Sequence, residues 1–171
     1  MRFNAAVLRS RGQPLTVEPV RLGALEPDQV LVRMRAAGVC HTDYEAWSGS
    51  FDVPVPTVLG HEGAGVVEAV GEQVAQAGQV RVGDHVVCAC APGCGGCFYC
   101  DRTLPMLCEA PAPGRRRIRG EDGADLHTFL GVSSFAEYAV LPARAAIPIP
   151  REMPLDRACL LGCAVITGVG A

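Results

Sequence analysis

Lysine is absent from this 171-residue chain, and all fifteen basic side chains are arginine. We read that as compositional bias and attach no mechanism to it. An excess of positive charge is also missing. The formal net charge is −3, so nothing suggests an electrostatic hold on nucleic acid or an anionic membrane surface. No stretch approaches the roughly 18 consecutive apolar residues of a membrane span, so no membrane partner is expected. The opening "MRFNAAVLRSRGQPLTV" has no sustained apolar core and no small-residue cleavage site. It does not read as a secretion signal, and cytoplasm is the expected compartment. What is present, 49% hydrophobic and 19% charged residues, fits an ordinary globular chain and not a disordered one. The length suits one compact domain, or one and a small extra lobe.

Cysteine is the residue in surplus. There are nine, an odd number, in a chain read as cytosolic, where thiols stay reduced. Four of them, Cys94, Cys97, Cys100 and Cys108, fall within "PGCGGCFYCDRTLPMLCEA", in a lobe spanning about residues 92–112. Cys-x2-Cys curls the backbone so that amides point at the sulfurs, and Gly95 and Gly96 permit a tight bend between the first two thiols. Four thiolates close the coordination shell of Zn²⁺ and leave no position for water. The expectation is a structural zinc site, with a redox Cys-x2-Cys or unrelated loop thiols as the bland rivals.

A closed site does no chemistry, so an open one must be sought among only four histidines. In "AAGVCHTDYEAWSG" an apolar strand breaks at Gly38, and Cys40 then precedes Thr42 and Asp43, good helix-start residues. In "VLGHEGAGVVEAVG", Gly60 delivers His61 and Glu62 to the mouth of a strand. His85 reads as a strand-edge residue and His127 as a loop residue, neither with a role.

"GHEGAGVVEAVGEQV" resembles the Gly-His-Glu-x2-Gly-x5-Gly-x2-Val signature of the zinc-dependent alcohol dehydrogenases, in the medium-chain dehydrogenase/reductase superfamily. "GVCHTD" before it, the cysteine lobe after it and "LLGCAVITGVGA" at the end follow in that family's order. The resemblance covers the whole chain. It implies the family's N-terminal catalytic domain, a GroES-like, partly open β-barrel, mainly β with a few helices. It further implies that Cys40, His61 and Cys163 hold a catalytic zinc with one position free, beside the structural zinc. Such a metal lowers the pKa of an alcohol hydroxyl so that hydride can leave.

By the same resemblance, Asp43 orients His61, Thr42 takes the alcohol proton into a relay, and Glu62 approaches the metal transiently. Thr167 matches a threonine at the nicotinamide end of the cofactor. Phe51, Cys90, Phe129 and Leu130 fall where relatives line the substrate pocket. Each has a plainer reading: Cys163 as a core thiol, Thr42 and Asp43 as helix caps, Glu62 as a solvated strand-start charge. Cys88 and Cys159 read as core. "GRRRIRG" at 114–120 reads as a solvated loop, with a docking patch for an anionic substrate group as the lesser view.

Two positions depart from the family pattern. Glu45 stands where many relatives have the outer relay histidine, and His41 where many have an arginine that bonds the cofactor pyrophosphate. Thiol-dependent formaldehyde dehydrogenases are among the relatives with histidine there. A larger departure is that no strand is followed by Gly-x-Gly-x-x-Gly, the fingerprint of a nicotinamide dinucleotide site. The Rossmann domain is therefore absent from this chain, which reads as one GroES-like domain over 1–171 whose C-terminal helix, from about Leu155, would lead into it. The chain would be a catalytic-domain piece or a naturally shortened protein.

Strand pattern is expected at 3–8, 15–20, 29–37, 63–70, 84–91 and 135–141, and helix at 42–48 and from Leu155 onward, with "PIPREMP" as a link. The favoured function is hydride transfer between NAD(P) and a primary alcohol or aldehyde. The complete enzyme would be a homo-oligomer, and the isolated chain inactive without its nucleotide domain. The competing class is a non-enzymatic zinc-binding module acting as a scaffold.

Overall fold

A computed structural model describes residues 1–90, 92–109 and 118–171. In chain order the first elements are β1 (Arg2–Leu8), β2 (Thr16–Leu22), β3 (Gln29–Gly38), α1 (His41–Ser48), β4 (Thr57–Val58), β5 (Glu62–Val70) and α2 (Glu72–Ala77). They are followed by β6 (His85–Cys88), β7 (Ile118–Gly120), β8 (Asp125–Thr128), β9 (Tyr138–Pro142), β10 (Ala146–Ile149), α3 (Leu155–Ala158) and α4 (Ala164–Gly170).

Five strands in the order β1-β2-β7-β8-β4 close a small barrel. Its pairs are antiparallel except β4 with β8. The other five form an open, antiparallel sheet in the order β10-β6-β5-β3-β9. The two sheets are stitched where Ala5 bridges Ala136 and the Ala6 amide donates to the Phe135 carbonyl at 2.8 Å.

Strand β3 shows how sequence dictates this arrangement. Its β-branched start, "QVLV", is buried on both faces: Val30 and Val32 join a core with Val67, Val86 and Leu141, while Leu31 faces the barrel core of Phe3, Val7, Val20 and Leu126. From Arg33 onward alternate side chains reach solvent, the period-2 signature of a one-sided strand. Burial of each such aliphatic side chain is worth about 1.5–3 kcal/mol, so β3, packed on both sides, is the spine to which the functional loops attach.

Two smaller clusters hold the site itself. Ala46 of α1 packs on Leu8, Leu59 and Phe129, fixing the helix that starts after Cys40. Ala158 and Cys159 pack on Ala64 and Val87, fixing the C-terminal segment against β5 and β6.

Several expectations need correction. The helix from Leu155 is three pieces: α3, a 3-10 turn Cys159–Gly162, and α4, with Cys163 at a break (φ −146°, ψ −71°). Residues 118–120 of "GRRRIRG" are not a loop but β7, because Ile118 is a barrel core residue; 114–117 lie outside the described residues. His127 belongs to β8 rather than a loop, while His85 does open a strand. Part of "PIPREMP" continues β10, whose edge position tolerates Pro148. The strands at 57–58 and 125–128 and the helix at 72–77 are too short to show a period in sequence.

Candidate metal centres

Three ligand candidates arrive from three elements. Cys40 is the N-cap of α1, His61 immediately precedes β5, and Cys163 sits between the 3-10 turn and α4. His61 is delivered by Gly60, whose φ of +91° is open to glycine, and where a Cβ would collide with Ser134 and Phe135. One ligand atom from each of Cys40, His61, Glu62 and Cys163 lies within 4.8 Å of all the others. The Cys40 and Cys163 sulfurs are 4.0 Å apart. A tetrahedral Zn²⁺ with Zn–S bonds of about 2.3 Å needs its sulfurs about 3.8 Å apart. The donor set therefore fits zinc in kind and in spacing.

A single carboxylate organises this cluster. Asp43, 3% exposed, accepts hydrogen bonds from the Gly60 amide (3.0 Å) and, through the same oxygen, from His61 Nδ1 (3.3 Å). Its other oxygen accepts from the Cys40 amide at 3.0 Å. With Nδ1–H committed to Asp43, the His61 lone pair lies on Nε2, the nitrogen left to face the cysteines. Burial disfavours charging His61, but the hydrogen bonds and charges of Asp43 and Cys40 together outweigh it, and the pKa is raised. Burial also opposes ionisation of Cys40, yet hydrogen bonds from the Thr42 amide and hydroxyl, and from His61, bring its pKa below that of an ordinary thiol. Cys163 is pushed up to about 11 by burial and by the neighbouring Cys40 charge. Two adjacent thiols so divided suit a cation that would let both ionise.

The second centre is local. Cys94, Cys97, Cys100 and Cys108 lie within 4.8 Å of one another, with Sγ–Sγ separations of 4.0 Å (Cys94–Cys100) and 3.9 Å (Cys97–Cys108). The Cys94 amide donates to Cys108 Sγ at 3.1 Å and the Gly96 amide to Cys94 Sγ at 3.5 Å. Gly95 supplies the expected bend at φ +82°. Amides of Cys100 and Glu109 hold the Cys97 thiol down at about 6. Among the described residues 94–109 no apolar side chain is buried, and Phe98, Leu104, Met106 and Leu107 are exposed.

The remaining expected residues divide. Thr42, on the first turn of α1, places its hydroxyl 3.7 Å from Cys40 Sγ. Glu62 is not a solvated charge: it is 2% exposed and points into the cluster. The Phe129 ring lies 5.8 Å from the His61 ring and 6.2 Å from that of Phe51, which is partly exposed. Leu130 packs beside Phe129. Cys90 Sγ lies 4.0 Å from the Gly162 carbonyl, its pKa raised by burial and by the Cys40 and Glu62 charges. Cys88 and Cys159 are core thiols as expected. Thr167 is exposed on α4.

In sequence Glu45 and His41 stand as separate departures, but in the fold they are one feature: His41 Nδ1 lies 3.7 Å from Glu45 Oε1 across one turn of α1. Their i, i+4 spacing is the signal that could have joined them. A distinct open groove at the seam of the two sheets, beside Ala5, Met34 and Phe135, contains none of the candidate residues.

The family described as alcohol dehydrogenase GroES-like domain matches residues 26–151. The chain is 44% identical to geraniol dehydrogenase from Castellaniella defragrans, over 98% of this chain and 46% of that protein. It is 39% identical to S-(hydroxymethyl)glutathione dehydrogenase from Saccharomyces cerevisiae, over 98% of this chain and 45% of that one. Among solved structures, an alcohol dehydrogenase zinc-binding domain protein from Burkholderia ambifaria superposes with a TM-score of 0.91 at 42% identity, over 100% of this chain and 48% of the other. The chain thus spans about half the length of the relatives it matches. No helix among the described residues is long and apolar enough to cross a membrane.

Proposed function

The chain belongs to the zinc-dependent medium-chain alcohol dehydrogenase family through its GroES-like domain, and on that premise we propose that it is the part that binds and activates a primary alcohol or aldehyde for hydride exchange with NAD(P). The observation behind this reading is the convergence of Cys40, His61 and Cys163, 123 residues apart at the extremes, to the spacing of one tetrahedral ion. Zinc held there would supply Lewis acidity, making a hydroxyl acidic near neutral pH. Zinc in the cysteine lobe would be structural.

The chain's own side chains do the rest. Asp43 holds His61 and the Cys40 backbone in position. The Thr42 hydroxyl, on the first turn of the helix that Cys40 caps, accepts the substrate proton and passes it outward. Glu45 and His41, paired at the exposed side of α1, would continue that route, with the His41 ring offered to a cofactor phosphate. Phe129 and Phe51, with Leu130, form an apolar wall beside His61, and Cys90, near the Gly162 carbonyl, would add to the pocket lining. A wall of that kind favours medium or aromatic alcohols.

No nucleotide fingerprint occurs in these residues. A nucleotide-binding domain elsewhere in a longer protein would supply NAD(P) and most contacts between subunits of a homo-oligomer. Thr167 would meet the nicotinamide end of the cofactor. The exposed apolar side chains Val165, Ile166 and Val169 of α4 are consistent with a covering domain. The boundaries follow: one catalytic domain over 1–171, with the lobe at about 92–112. Reduced cytoplasm suits metal-binding thiols.

A thiol-adduct alcohol is the second substrate reading, supported by the likeness to S-(hydroxymethyl)glutathione dehydrogenase. A protein joining this chain to its nucleotide domain should oxidise an unsaturated or aromatic primary alcohol with NAD(P), and the isolated chain should show negligible turnover. If the joined protein, with both zinc ions bound, turns over neither that alcohol nor S-(hydroxymethyl)glutathione, the scaffold reading replaces the enzyme.

A further inference from the structure

Helix α4 is poorly anchored for an element that follows directly on a proposed metal ligand. It has seven residues, of which the second to fifth are β-branched or glycine, and none is buried. Isolated helices shorter than about 12 residues are marginal in water. Its N-cap, Cys163, makes no side-chain capping bond and lies outside helical geometry. The first amide of α4, that of Ala164, nevertheless has a partner. Glu62 Oε1 accepts from it at 2.9 Å, across 102 residues of chain. Glu62 is 2% exposed and is the single carboxylate in the ligand cluster. A buried carboxylate is costly without a partner, and the first amide of a helix has none within the helix; here each satisfies the other.

Space for this arrangement is made at position 38. A methyl group on Gly38 would overlap Glu62 Oε2 and lie 2.9 Å from Leu160 Cδ2. Leu160 belongs to the 3-10 turn that leads into Cys163. Gly38, Glu62 and residues 160–164 therefore interlock, and β3 and β5 are the rigid sides of the lock.

We propose that Glu62 is a positioning residue: by capping the Ala164 amide, in a space left by Gly38, it holds the Cys163 peptide over Cys40 and His61. This rests on the reading that those three residues bind a metal. The carboxylate acts through the peptide next to Cys163, as an outer-sphere group, and substitution of such partners typically weakens metal binding about 10- to 100-fold.

The test is a competitive titration of Zn²⁺ against a chromophoric chelator, which resolves two bound ions, together with amide exchange at Ala164. Glu62→Ala should weaken one ion about tenfold, leave the other unchanged and speed exchange at Ala164. Glu62→Gln, whose side-chain oxygen still accepts from that amide, should stay close to wild type in both. Gly38→Ala should weaken the same ion, and Gly38→Ala combined with Glu62→Ala should be no weaker than the worse single variant, since both remove one bond. Unchanged affinity and unchanged Ala164 exchange in Glu62→Ala would overturn the proposal. So would an equal loss in Glu62→Gln, which would point to charge in place of the bond. A wild type that binds a single ion would instead overturn the metal reading beneath it, and Ala164 exchange would then decide the capping role by itself. If Glu62→Ala does not fold, Glu62→Gln and Gly38→Ala carry the test: the first should match wild type and the second should lose affinity, and the reverse pattern would overturn the proposal.

Discussion

Asp43 serves two proposed ligands from one helix position, by bonding the His61 ring, the Gly60 amide and the Cys40 amide together. Chemistry of this kind is legible from sequence, because few residue types can ligate zinc or orient a histidine and their order in the chain is informative. What pairs with Glu62 is not legible, since the partner is a backbone amide, which sequence does not distinguish from any other. Nor does the sequence by itself declare that His41 meets Glu45, although their spacing allows it. Thiols outside the two centres also have consequences. Cys88 is fully buried, and burial pushes its pKa from 9.0 to about 12. Its folded pKa lies above the unfolded one, so the stability it contributes is whole below pH 9 and is lost as pH rises towards 12. The urea midpoint of the chain should fall above pH 9, and Cys88→Ala should flatten part of that fall while costing about 1 kcal/mol at neutral pH. An unchanged slope in that variant would show that the thiol has no part in it.

At the level of elements, the cysteine lobe and the C-terminal segment stand in contrast. The lobe gathers its four thiols from fifteen consecutive residues, Cys94 to Cys108, and the described part of it buries no apolar side chain. With no core of its own, it needs the metal for order. Cys100→Ser should therefore remove one zinc and open the lobe to protease, with the urea midpoint of the barrel nearly unchanged. A drop of the whole fold would mean that the lobe is part of the core after all. Such a lobe is legible in sequence because its signal is wholly local. The break in the C-terminal helix is not: "RACLLGCAVITG" has helical pattern throughout, and the interruption at Cys163 follows from contacts with β3 and β5 far away in sequence.

Across the molecule, Leu31 of β3 and Tyr138 and Val140 of β9 pack the open sheet onto the barrel core, and the proposed catalytic centre sits where the barrel-side helix α1, the strand β5 and the last segment meet. That the chain is mainly β can be read from alternating short strands and glycine turns, and the GroES-like class is what the resemblance carried by four motifs in family order implies. Barrel closure cannot, because it depends on strands of two to four residues, β4, β7 and β8, whose pairing is set by the others. The central claim is that this fold brings distant thiols and one imidazole to a second metal ion. X-ray diffraction from zinc-loaded crystals, recorded above and below the zinc absorption edge, tests it most directly. Two anomalous peaks are expected, one about 2.3 Å from the sulfurs of the lobe and one bounded by Cys40, His61 and Cys163. A single peak in the lobe, with the other three residues bare at full zinc occupancy, would contradict it.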